Sequence, residues 1–282
     1  MTTGSQNETA PDWAEREYNP RLAVPDAPAI YARWPDRAAS MRAAHPPLAD
    51  IRYGDHPREI VDLFRAENAR GTVVFWHGGY WRAFSKDDFS WVAEAFLRAG
   101  LSVAVPSYPL CPDVPLARIV DSARACFAHL HGAVLTDRER GRIAVTGHSA
   151  GGYLTALHLA TDWTAYGLPR DPLTAAVPIS GVFRLAPLIA TTMNDAIRLD
   201  EAGADALTLG EEPALSRSRF TLAVGADESA EFHRQSDRLA ADWSGLGPTT
   251  LDIVGRNHFD VIDDLADPSS RLCRAILDPL AD

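Results

Sequence analysis

Cysteine is scarce: three residues, Cys111, Cys126 and Cys273, occur in 282. They are odd in number, widely spaced and form no C-x-x-C pair, which argues against a disulfide framework or a zinc knuckle and predicts a reducing, cytoplasmic setting. No apolar run approaches the roughly 18 to 20 uncharged residues that cross a bilayer, so membrane insertion is not expected. Residues 1–17 lack both a charged segment followed by an apolar one and a twin-arginine pattern, so no signal peptide is predicted. Basic clusters are missing as well. With 27 Lys and Arg against 38 Asp and Glu, the formal charge is −11; nucleic acids and other polyanions are disfavoured partners. What remains is an ordinary globular composition, 46% hydrophobic and 23% charged, in a chain long enough to bury a large core as one main domain.

The chain divides at about residue 50. Residues 1–50 are polar and rich in proline around a short helical pattern from Ala29 to Ala44, and read as an extension packed on the main domain, residues 51–282. A leading hairpin, Asp50 to Tyr53 and Glu59 to Phe64, is followed by strands and helices in alternation. Strands are expected at 71–76, 101–105, 142–146, 175–179, 219–224 and 249–254, with helices between them and a last helix at 261–277. Strands without strict alternation read as covered on both faces. The order therefore predicts an α/β fold: a mostly parallel twisted sheet with helices on both faces. Residues 181–218 break the rhythm and are expected to form a small cap or insertion.

Gly147-His148-Ser149-Ala150-Gly151 fits G-x-S-x-G and stands between a strand and a helix, the context of a nucleophile elbow, with Ser149 as nucleophile. A helix N-cap serine in a Gly-rich turn is the alternative. His77-Gly78-Gly79-Tyr80-Trp81 leaves an earlier buried strand, where glycines let backbone N–H groups face a developing oxyanion. Gly78, Gly79, Tyr80 and Ala150 are the expected oxyanion hole; His77 and His148 are expected to be structural. His258 lies on the loop after the final strand, and Glu228 follows the preceding strand by three residues past its terminal Gly225. The order Ser149, Glu228, His258 is that of α/β-hydrolases, with Asp227 the competing acid. No metal site is expected.

Further blocks extend the pattern: Glu17-Tyr18-Asn19-Pro20, Arg52-Tyr53-Gly54, Ser85-Lys86-Asp87, Ser180-Gly181-Val182-Phe183, Glu231-Phe232-His233-Arg234-Gln235-Ser236 and His258-Phe259-Asp260. Together with the elbow and the His77 loop they resemble the kynurenine formamidase (arylformamidase) group of α/β-hydrolases, from about residue 17 to 270. In that group the acid stands four residues before the phenylalanine matching Phe232, which again selects Glu228, although animal members carry Asp there. The resemblance implies a serine hydrolase of tryptophan catabolism that cleaves N-formyl-L-kynurenine to formate and kynurenine, without cofactor or metal, with Tyr80, Trp81 and Phe84 walling the aryl ring of the substrate or else packing in the core. Carboxylester, carbamate or other amide hydrolysis is the next expectation, and a non-catalytic binding module the third. The expected partner is a small-molecule substrate; a homodimer is left open.

Overall fold

A computed structural model describes residues 9–281; the part of the signal-peptide and extension readings that falls on residues 1–8 lies outside them. Eight strands form one sheet: β1 (Leu48–Arg52), β2 (Ile60–Phe64), β3 (Thr72–Trp76), β4 (Ser102–Pro106), β5 (Ile143–His148), β6 (Ala175–Ile179), β7 (Arg219–Gly225) and β8 (Thr249–Ile253). Their spatial order is β1-β2-β4-β3-β5-β6-β7-β8. β1 and β2 form the expected antiparallel hairpin and β2 runs antiparallel to β4. From β4 to β8 every pairing is parallel.

Parallel strands need crossovers, and the crossover helices cover both faces, which is why β3 to β6 are buried along their whole lengths. Successive residues face opposite ways. Val74, Trp76 and Val145 join one core with Leu154 of the helix Ala150–Leu159 and Phe127 of the helix Leu116–His129. Val73, Phe75 and Ala144 join the other with Ile262 and Ile276. The N-terminal segment enters both: Tyr18 belongs to the first core, and Trp34, Ala38 and Met41 to the second.

The expected last helix is broken. A 3-10 turn, Val261–Ala266, precedes a separate helix, Arg271–Leu277. Pro268 disfavours helical backbone at Asp267, which sits at φ −105°, ψ 108°, and Ser270 then caps a new start with its hydroxyl. Residues 181–218 hold a 3-10 turn, Ala186–Ala190, and two short helices, Asn194–Ile197 and Glu201–Leu207.

Three imidazoles are sealed inside this scaffold. Burial pushes His77 down to about 3 and His158 to about 4, and holds His148 well below the ordinary imidazole range. In the unfolded chain each takes a proton below about pH 6.5. The unfolded state therefore binds more protons than the native state between that pH and about 4, and stability falls as pH falls through this window. Each histidine contributes a slope of about 1.4 kcal/mol per pH unit, so three approach about 4 kcal/mol per unit near pH 5. Urea unfolding at pH 8, 7, 6 and 5 should show a plateau above pH 7 and a steep loss below 6. A flat profile would mean that these rings accept protons in the folded state.

Candidate active site

The sheet carries four functional loops to one edge, at the C-terminal ends of β3, β5, β7 and β8, where open α/β sheets bind ligands. The turn after β5 is the tightest. Ser149 has φ 55°, ψ −115°, a strained conformation for a residue with a Cβ, and its hydroxyl makes no capping bond to the helix that follows. The N-cap alternative is thereby corrected: Ser149 stands at the helix start without serving it. The flanking glycines are dictated by close approach. A Cβ on Gly151 would overlap the Trp76 carbonyl oxygen outright, and one on Gly147 would press on the Gly151 and Trp76 carbonyls. Gly151→Ala should therefore cost about 3 kcal/mol in urea unfolding; unchanged stability would contradict this packing.

Gly78 lies directly above the elbow, where a Cβ would come 3.3 Å from Ser149 Cβ and 3.0 Å from the His148 carbonyl. His77 is fully buried, stacked on Tyr108 with centroids 4.2 Å apart, and its Nδ1 meets the Gly78 carbonyl at 2.8 Å. The carbonyl can only accept, so Nδ1 carries the hydrogen of the neutral ring. In a trans peptide the C=O and the following N–H point opposite ways. The Gly78 carbonyl turned toward His77 thus turns Gly79 N–H away from it, and the Gly79 carbonyl, accepting from Arg82 N at 3.0 Å, does the same for Tyr80 N–H. The N–H groups of Gly79, Tyr80 and Ala150 have no acceptor among the described residues. Positive φ at Gly79 (107°), Tyr80 (47°), Trp81 (53°) and Phe84 (70°) shapes the loop. Arg58 pins it from behind, donating to the Tyr108 carbonyl at 2.9 Å and to that of Phe84.

Glu228 and His258 meet at the far side. The Glu228 carboxylate is fully buried and accepts from His258 Nδ1 at 2.6 Å, from Gly225 N–H at 2.8 Å and from the Ser180 hydroxyl. Asp227 is exposed, and its side chain makes no hydrogen bond or ion pair among the described residues. His148 Nε2 donates to the His258 carbonyl at 2.7 Å, and Phe232 packs on the His258 ring with centroids 4.4 Å apart. His258 Nε2 and Ser149 Oγ carry no hydrogen bond among the described residues, to each other or to a third group.

Both residues line one cavity of about 470 Å³, within the range of small-molecule sites. Its walls include Gly78, Gly79, Tyr80, Phe84 and His148, as well as Asn19, Arg21, Trp34, Thr192 and Met193, which sequence reasoning did not place there. The only available signal was the Glu17-Tyr18-Asn19-Pro20 block. Its Tyr18 hydroxyl donates to Glu231 at 2.7 Å, and Glu15 accepts from Thr192 N–H at 2.7 Å, joining the N-terminal helix Ala10–Tyr18 to residues 181–218 at the rim. Trp81 corrects the expected substrate wall. Its ring is fully buried, set edge-on to Tyr153 at 5.5 Å, and does not reach the cavity. Among the described residues no group of three or more His, Cys, Asp or Glu is arranged to hold a metal ion, and no helix is long and apolar enough to cross a membrane.

Comparison with known proteins adds an independent line. A family model described as the alpha/beta hydrolase fold matches residues 73–265. A kynurenine formamidase of Danio rerio is 26% identical over 97% of this chain and 96% of its own length, and one of Salmo salar is 27% identical over 82% and 81%. A crystal structure from Silicibacter sp. TM1040, provisionally described as a thioesterase, superposes with a TM-score of 0.83 at 32% identity, covering 93% of this chain and 98% of that one.

Proposed function

The chain belongs to the α/β-hydrolase fold family and is kynurenine formamidase-like within it, and from that premise we propose that it is a serine hydrolase that cleaves N-formyl-L-kynurenine to kynurenine and formate. Ser149 Oγ attacks the formyl carbon while His258 Nε2 takes its proton, and the buried Glu228 carboxylate stabilises the imidazolium. The carbonyl oxygen becomes an oxyanion held by the N–H groups of Gly79, Tyr80 and Ala150, at the positive end of the helix Ala150–Leu159. Collapse of the tetrahedral adduct breaks the C–N bond, and His258 returns its proton to the departing aryl amine. Water, deprotonated by His258, then hydrolyses the formyl ester on Ser149, releasing formate and restoring the hydroxyl. Metal and cofactor have no part in this sequence of steps.

The observation that carries the reading is His258, bonded to Glu228, opening with Ser149 onto one cavity, in a chain that one formamidase relative matches nearly end to end. The formyl group is the smallest acyl group and needs little room beside Ser149, while Tyr80 and Phe84 offer aromatic surface to the ring of the amine. The reading places the enzyme in tryptophan catabolism in the cytoplasm.

The test is a substrate panel of N-formyl-L-kynurenine, a short p-nitrophenyl ester and an aryl carbamate. The formamide should lead in kcat/KM by about 100-fold or more. Preference for the ester or the carbamate would transfer the same machinery to carboxylester or carbamate hydrolysis.

A further inference from the structure

Arginines in this acidic chain are commonly paired: Arg37 with Asp263, Arg42 with Asp62, Arg65 with Glu139, Arg118 with Glu59 and Arg256 with Asp264 all form ion pairs. Others, such as Arg138 and Arg142, form no ion pair among the described residues, and of these Arg21 and Arg82 are set apart by where they stand. Both line the catalytic cavity, and no Asp or Glu lines it with them. Neither guanidinium has an ion pair or a side-chain hydrogen bond among the described residues. The Arg21 guanidinium lies over the Tyr31 ring, 5.5 Å from its centroid, and Tyr31 in turn packs on the cavity wall at Phe84, with centroids 6.0 Å apart. The charge of Arg82 is felt by Glu15, but the Glu15 carboxylate is occupied by neutral donors: Thr192 N–H at 2.7 Å, the Thr192 hydroxyl at 2.8 Å and the Asn19 amide at 2.7 Å. Glu15 thus ties the cavity wall together, and the Arg82 N–H donors stay unbonded among the described residues.

Two guanidinium groups with no ion pair among the described residues therefore face the cavity mouth of a protein whose net charge is −11. Guanidinium groups with free N–H donors recognise carboxylates by paired, charge-assisted hydrogen bonds, and a local positive field draws anions toward the site against the overall charge. N-formyl-L-kynurenine carries a carboxylate on its amine portion, and we propose that Arg21 and Arg82 are the residues that receive it at the mouth of the cavity. This rests on the aryl formamide reading: a formyl group cannot bear a charged substituent, so whatever reaches the rim belongs to the leaving amine. Arg21 and Arg82 are then specificity-determining residues that orient the ring in the cavity and take no part in bond breaking.

The experiment uses two aryl formamides identical except that the ring side chain ends in a carboxylate or in a carboxamide, with the wild-type chain, Arg21→Gln, Arg82→Gln and the double variant. Fluorophosphonate labelling of each variant verifies a folded site. The wild type should favour the carboxylate by about tenfold or more in kcat/KM, chiefly through KM. That ratio should shrink in each single variant and fall to near one in the double variant; high salt should also erode it in the wild type. Equal turnover of the pair by the wild type, or a ratio that survives in the double variant, would overturn the assignment. If neither formamide is cleaved, the formamidase reading fails, and a matched pair of phenyl acetates carries the same comparison. A carboxylate preference lost in the double variant would uphold the arginine assignment there, and equal turnover would overturn it.

Discussion

Replacing Ser149 by alanine is expected to lower kcat for N-formyl-L-kynurenine by roughly 10⁶-fold and to abolish fluorophosphonate labelling, with the fold intact. The hydroxyl makes no hydrogen bond among the described residues, so its loss leaves no partner unsatisfied. The backbone bonds that hold the elbow, Ser149 N–H to the Ile179 carbonyl at 2.8 Å and Gly152 N–H to the Ser149 carbonyl at 2.8 Å, do not involve the side chain. Residual activity above water would come from the oxyanion amides and the cavity. Ser149→Gly should be equally inactive but more stable than the alanine variant by about 1 kcal/mol: relief at φ 55°, ψ −115° is worth about 1–3 kcal/mol, partly offset by the greater freedom of glycine in the unfolded chain. A Ser149→Ala enzyme within tenfold of wild type would mean that another group is the nucleophile.

Glu228→Gln is expected to lower kcat by roughly 10⁴-fold, and Asp227→Asn to change it less than about twofold. Glutamine keeps the volume, and its carbonyl oxygen can still accept from Gly225 N–H and the Ser180 hydroxyl. Its amide then faces His258 Nδ1. That favours the tautomer with hydrogen on Nε2, which has no lone pair to receive the Ser149 proton, and it removes the negative charge that stabilises the imidazolium. Asp227 is exposed and engages the neighbouring loop only through its backbone, Asp227 N–H to the Arg256 carbonyl. Steady-state kinetics on the two variants decides between the acids, and the reverse pattern would move the role to Asp227.

The elbow, the glycine loop and the late histidine were legible because local sterics write them into the sequence. At Gly147, Gly151 and Gly78 a Cβ would press on backbone or on the nucleophile itself, so their spacing around Ser149 carries the geometry. The sheet was legible for a similar reason: strands buried on both faces, such as β3 and β6, leave continuous apolar runs. The rim was not. Arg21, Thr192 and Met193 reach the cavity only because Tyr18 bonds Glu231 and Glu15 bonds Thr192 across more than 170 positions of chain, and no local pattern encodes such pairings. Trp81 misled because aromatic character beside an oxyanion loop suits both a substrate wall and a core; its burial against Tyr153 decides for the core. The last helix misled because its apolar spacing continues across Pro268, while the backbone does not.

The central claim is that Ser149 is activated by the imidazole of His258, which Glu228 holds in place. It is tested most directly by reacting the intact protein with a fluorophosphonate, mapping the adduct by peptide mass spectrometry, and comparing labelling rates of the wild type and His258→Gln. The account predicts one adduct, on Ser149, and a rate lower by roughly 10³-fold or more in the variant. An adduct on another residue, or a rate indifferent to His258, would contradict it.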